Sequence, residues 1–142
     1  MFVALFSILL NDMPMLPWQT FLYLIVFAFL AQIIGEIMDL DPDRQAGKKS
    51  TVVWIGRKRA KLLLLLLILF ETYILNFWFD DIVLTVAMAT FAIWMILDIF
   101  FIFKDKPYSV LQMKTFGIIA NIVAVLSLVW VLYSGKLLHP NF

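Results

Sequence analysis

Gln32, Glu36, Asp39 and Asp43 recur at i, i+4, i+7 and i+11, a spacing that puts them on one face of a helix. With Asp41 they place four acids at the end of an apolar run, just ahead of Lys48 and Lys49. Carboxylates gathered there oppose the negative end of the helix macrodipole and repel one another. A bound divalent cation would relieve both effects. The Asp39-x-x-x-Asp43 pair suits Mg²⁺, a hard cation that takes carboxylate oxygens and completes its shell with water and substrate phosphates. Arg44, Lys48, Lys49 and Arg57 could neutralise the rest of a diphosphate. Mg²⁺ on such a group takes up charge as it departs, so Asp39 and Asp43 are the candidate catalytic and metal residues. The substrate expected at an acidic rim on an apolar bundle is an amphiphile, diphosphate outside and hydrocarbon within. A solvated acidic turn beside basic residues is the plainer alternative.

Pro42 leaves the local geometry open. It cannot donate to the Met38 carbonyl, so a helix through it would kink or end near Asp39. Alternatively a short new helix starts here, with Asp41 as N-cap and Pro42 at its first position. In both cases Asp39 and Asp43 stay close.

The elements that must position these groups are apolar to an unusual degree. Of 142 residues, 64% are hydrophobic and 15% charged, where soluble domains run at about 45–50% and about 25%. The expectation is an all-α, polytopic transmembrane helix bundle in a lipid bilayer. A net charge of +1 argues against a nucleic-acid partner, and the lack of cysteine excludes disulfides and thiolate metal sites. His139 has no second histidine at ligand spacing and reads as a tail residue.

Four full spans are expected, at about 18–38, 62–79, 82–103 and 115–134, each close to the roughly 20 residues a bilayer requires. Phe2–Leu10 is apolar but too short to cross, has neither a basic start nor a small-residue cleavage site, and reads as the end of a truncated N-terminal helix. Loop 39–61 carries seven Lys or Arg residues and loop 104–114 carries Lys104, Lys106 and Lys114, against Lys136 alone on the other side. The positive-inside rule therefore puts both loops, with the acidic motif, in the cytoplasm. Trp18, Trp78, Trp130 and Tyr133 then fall near the opposite interface, as an aromatic belt.

Polar groups inside membrane spans are costly enough to suggest function. Gln32, Glu36, Asp98 and Asn121 all lie near the cytoplasmic ends of three different spans, which suggests a polar cavity open on that side. Hydrogen bonding between helices, or snorkelling to the interface, would account for them more simply. Glu71, near the middle of its span, is expected to be protonated or paired within the bundle, for example with Asn76.

The run from Glu36 through Asp39, Asp43, Gly47, Ser50 or Thr51 to Gly56 and Arg57 resembles the second aspartate-rich motif of the UbiA-type membrane prenyltransferases, Asp-x-x-x-Asp-x-x-x-Gly-x-x-Ser/Thr with a later Gly. The resemblance covers this segment alone. It implies an all-helical transferase that ionises a prenyl diphosphate with Mg²⁺ and attaches the prenyl carbon to an acceptor, commonly aromatic. The family uses two such motifs, and this chain has one: after Asn11-Asp12, Met15 and Gln19 stand where aspartates belong. The chain is thus expected to be a C-terminal half that awaits a missing N-terminal half and is inactive alone. The CDP-alcohol phosphotransferases also place an acidic Mg²⁺ motif at a helix end, but no Asp-Gly or Ala-Arg precedes Gly35 here. A membrane scaffold or cation-binding subunit is the reading without catalysis.

Overall fold

A computed structural model describes residues 17–135. In chain order the helices are α1 (Trp18–Met38), α2 (Leu40–Gln45), α3 (Thr51–Ile55), α4 (Arg57–Phe77), α5 (Ile82–Leu97) and α6 (Val110–Ser134). Between α5 and α6, α5 continues into a π-helical turn, Asp98–Ile102. The architecture is all-α, with no strand among the described residues. Among the described residues four segments are long and apolar enough to cross a membrane: Trp18–Met38, Arg57–Phe77, Ile82–Ile102 and Val110–Ser134. The protein is a multi-pass membrane protein. The truncated helix expected at Phe2–Leu10, Lys136 and His139 lie outside the described residues.

Span boundaries shift where charge, not apolarity, sits at the helix end. The second span begins at Arg57, not near residue 62, because its first turn is the charged run Arg57-Lys58-Arg59. It ends at Phe77, and Phe79, fully buried, belongs to the turn that follows. The fourth span begins at Val110, five residues earlier than its apolar run. Ser109 caps it through a capping box, its hydroxyl accepting Gln112 N–H while Gln112 accepts Ser109 N–H at 2.7 Å. Loop 39–61 is therefore two short helices and the first turn of α4.

The turn between α4 and α5 is closed by Asp81, whose Oδ1 accepts Val83 and Leu84 N–H groups, each at 3.1 Å. That turn makes α4 and α5 antiparallel neighbours. Ile74, Leu75, Phe79 and Leu84 form an apolar cluster beside it. A larger cluster lies at the other end, where Ile33, Ile37, Leu64, Met95 and Ile99 of the spans meet Leu40 of α2 and Val52 of α3. Within the spans, lipid is as apolar as leucine, so packing rather than water exclusion holds helices together. Leu40 and Val52 sit on the short helices and are fully buried. Removing them from water is worth roughly 1.5–3 kcal/mol each, enough to hold α2 and α3 against the bundle.

α6 stands apart. None of its residues is buried. It meets the bundle through Phe116 and Phe91, ring centroids 6.2 Å apart, and through Trp130, whose indole donates to Asp81 Oδ2 at 3.0 Å.

Candidate functional site

The acidic stretch does not form one helical face. α1 ends at Met38, and Asp39 (φ −89°, ψ 4°) is both its C-cap and the N-cap of α2. The chain takes the second course open to Pro42, a new short helix, with the N-cap moved from Asp41 to Asp39. Pro42 is third in α2, where a backbone N–H would have no intrahelical partner in any case. Asp43 N–H donates to the Asp39 carbonyl at 2.9 Å, so the two residues are one turn apart.

Their environments differ. Asp39 is exposed, and its carboxylate has no partner among the described residues. Asp43 is buried and accepts Lys48 Nζ at 2.9 Å, while Lys48 N–H closes back on the Asp43 carbonyl at 2.9 Å. Gly47 (φ +68°) supplies the left-handed bend that this closure needs. The hydrogen bond to Asp43 and its charge, with Asp39 contributing less, raise the Lys48 ammonium above the ordinary lysine range. Glu36 is structural at both oxygens: one accepts Val52 N–H at 3.0 Å and the other accepts Gln32 Nε2 at 3.0 Å. It ties α3 to the end of α1.

Arg57 links the acids to the loop after the π-turn. Its Nη2 meets Asp41 at 2.7 Å and its Nη1 donates to the Asp105 carbonyl at 3.3 Å. Beside it opens a cleft of about 270 Å³ walled by Arg44, Gly56, Arg57, Lys58, Arg59 and Asp105. Of the four cations expected around a diphosphate, Arg44 and Arg57 line this cleft, Lys48 is engaged by Asp43, and Lys49 is exposed outside it.

One buried ionic network escaped sequence reasoning. Lys61, expected in a loop, is fully buried in α4 and pairs with Asp98 Oδ2 at 2.7 Å. The same ammonium donates to the Lys104 carbonyl at 3.0 Å and lies 4.5 Å from the centre of the Tyr108 ring. Tyr108 donates its hydroxyl to Asp98 Oδ2 at 2.7 Å. Burial first, and then the bond to Asp98, push its phenol well above the ordinary tyrosine range. The signal was available: Lys61 and Asp98 lie at nearly equal distances from the Asp80-Asp81 turn, so an antiparallel hairpin sets them opposite each other.

The expected cavity of Gln32, Glu36, Asp98 and Asn121 is not assembled. Gln32 and Glu36 pair with each other, Asp98 is sealed with Lys61, and Asn121 is exposed on α6, donating to its own helix at the Gly117 carbonyl, 2.7 Å away. Asn121 thus bonds within its own helix, and not to another as the simpler account would have it. Glu71 is fully buried with neither oxygen partnered among the described residues, and Asn76 is exposed, so that pair does not form.

Among the described residues no group of three or more His, Asp or Glu side chains stands together as a metal cage. Mg²⁺ usually needs only one or two carboxylates when phosphate and water complete its shell, and the unpartnered Asp39 beside Asp43 fits that smaller demand. In comparisons with known proteins, no family model, curated protein or solved structure matches this chain.

Proposed function

We propose that this chain is part of an integral membrane prenyltransferase that moves an isoprenyl group from a prenyl diphosphate to an acceptor, with an aromatic ring as the natural nucleophile. The observation that carries the reading is a juxtaposition. The Asp39–Asp43 turn and a cationic cleft stand at one end of an apolar bundle, joined through the Asp41–Arg57 ion pair. Asp39 and Asp43 would hold Mg²⁺, which when bound takes up negative charge on a departing diphosphate. Arg44 and Arg57 face the same end as counter-charges, and Lys48 and Lys49 extend them along the loop. Glu36 keeps α3, and with it Gly56 and Arg57, in register with α1. The hydrocarbon tail would lie along the bundle, away from water that could capture an allylic cation. On this reading loops 39–61 and 104–114 are cytoplasmic, as their basic residues require. The complementary acidic motif comes from an N-terminal half.

A second reading, a scaffold without catalysis, is favoured by one observation: Asp43 already has Lys48 as its counter-ion. The two part on a single assay. The purified chain, alone and co-expressed with an N-terminal half carrying the first motif, is given radiolabelled prenyl diphosphate, Mg²⁺ and a panel of aromatic acceptors. Product from the pair but not from the chain alone is the expected result, and Asp39→Asn should abolish it. Full turnover by the Asp39→Asn pair, or none by any pairing, would leave the scaffold reading standing.

A further inference from the structure

Lys48 meets Asp43 twice. Its backbone N–H donates to the Asp43 carbonyl at 2.9 Å, closing the turn through Gly47, and its ammonium stands 2.9 Å from Asp43 Oδ1. The backbone closure brings the lysine back beside the acid, so the pair is built by the turn. The turn does not bury both partners, however. The Lys48 side chain is 68% exposed and that of Asp43 only 13%. A fixed carboxylate is thus joined to a cation on a long, flexible stem in water. A pair with so exposed a partner shifts an equilibrium by only about twofold to fivefold. Asp39, one turn earlier, has no counter-ion among the described residues. Lys49, next in sequence, is exposed and makes no ion pair among them, so it shares the charge of Lys48 but not its seat.

A divalent cation and an ammonium on one carboxylate repel each other at close range, so the weakly held ammonium is the one to leave. Leaving for water gains it little. Leaving for a diphosphate gains it a partner of several negative charges that accepts charge-assisted hydrogen bonds. We propose, on the reading that Asp39 and Asp43 hold Mg²⁺ with a diphosphate, that Lys48 is an exchangeable counter-ion that keeps Asp43 from the metal until a diphosphate draws the ammonium off. The exchange leaves no charge unanswered. The ammonium passes from carboxylate to phosphate, and Asp43 passes from ammonium to metal. Metal and diphosphate are then taken up together, and metal alone is held poorly. The ion pair that would be plain charge balance in a scaffold thereby sets the order of loading.

The test is equilibrium dialysis of the full chain in detergent against radiolabelled Mn²⁺, used in place of Mg²⁺, either alone or premixed with excess inorganic pyrophosphate. Lys48→Met should bind Mn²⁺ alone about twofold to fivefold more tightly, the strength of the pair it removes, and the pyrophosphate complex more weakly by a similar factor. Lys48→Arg keeps the charge but offers the carboxylate two parallel N–H donors, so it should bind Mn²⁺ alone less well than the unaltered chain. Lys49→Met removes an equal charge beside the pair and should move both affinities by less. Asp39→Asn in the Lys48→Met background should release the Mn²⁺, which locates it at the turn. Circular dichroism shows whether each variant keeps its helices. Equal effects of Lys48→Met and Lys49→Met, with Lys48→Arg like the unaltered chain, would reduce Lys48 to general charge and overturn the proposal. Mn²⁺ binding that Asp39→Asn still abolishes would then leave the metal site itself standing. Mn²⁺ bound by neither the unaltered chain nor Lys48→Met would overturn both.

Discussion

At the turn between α4 and α5 one carboxylate, Asp81, accepts Val83 and Leu84 N–H groups and the Trp130 indole, and the residue is 1% exposed. At the opposite end the charges of Asp41, Asp43, Arg57, Lys48, Lys61 and Asp98 are shared out in ion pairs. Even so, the Asp39 carboxylate, Arg57 Nε and Asp98 Oδ1 have no partner among the described residues. Closing a hairpin takes one acid. The charged end carries far more polar groups than closure requires.

That contrast can be broken most severely at Lys61. Lys61→Met leaves Asp98 charged and buried without its counter-ion, which should cost about 3–5 kcal/mol. Unfolding in a detergent titration would register it. The double variant Lys61→Met/Asp98→Leu should recover most of the loss, and failure to recover would mean that the network does more than balance charge.

Asp81→Ala strips the other end of its cap and leaves the Trp130 indole unpaired, an expected loss of about 2–3 kcal/mol. A changed Trp130 emission should accompany it, reporting that α6 has lost its tie to the hairpin. An unchanged emission would show that α6 is held elsewhere.

Between the two ends, Glu71→Leu should stabilise the bundle by about 1–2 kcal/mol, since it removes a buried carboxyl with no partner among the described residues. The same unfolding titration checks this, and destabilisation would show that the carboxyl is in use.

The smallest effect is a titration. Lys48 is raised above its ordinary 10.5 by Asp43 first and Asp39 last. The interaction is therefore complete at neutral pH and is lost only as pH climbs through the alkaline range above that value. An NMR titration of the Lys48 side chain should move down in Asp43→Asn and by less in Asp39→Asn. The reverse ranking would show that Asp39 is the closer partner.

Much of this bundle was legible from apolar run length. The span Trp18–Met38 needed nothing else. Helix ends were harder, because α4 begins in charged residues that read as loop and α6 begins at the Ser109-x-x-Gln112 capping box, ahead of the apolar run that reads as its start. The site was legible in part. The turn between Asp39 and Asp43 follows from their spacing, but which acid is free depends on Lys48 folding back through Gly47. Asp41 with Arg57 is a pair made by helices meeting, which no local pattern carries, and Lys61 with Asp98 follows only once the Asp80-Asp81 turn is used to set α4 against α5. Pro42 illustrates the difference: its chemistry narrowed the backbone to two courses, and packing of Leu40 and Val52 accompanies the one adopted.

The π-turn at Asp98–Ile102 has a consequence for insertions and deletions. In this turn the Asp98 carbonyl accepts from Phe103 at 3.2 Å and from Lys104 at 2.8 Å, farther along the chain than an α-helix would reach. Here the wide turn closes α5, and the chain leaves the helix at Phe103. Deleting Phe100 or Phe101, both exposed, would let α5 run on as plain α-helix. The point where the chain leaves α5 would then shift around the helix by about 100°, the advance of one residue. Tyr108 would swing away from Asp98, and the Lys104 carbonyl from Lys61. A one-residue change on the lipid-facing side would thus be felt at the charged end, whereas a point substitution at either phenylalanine would not.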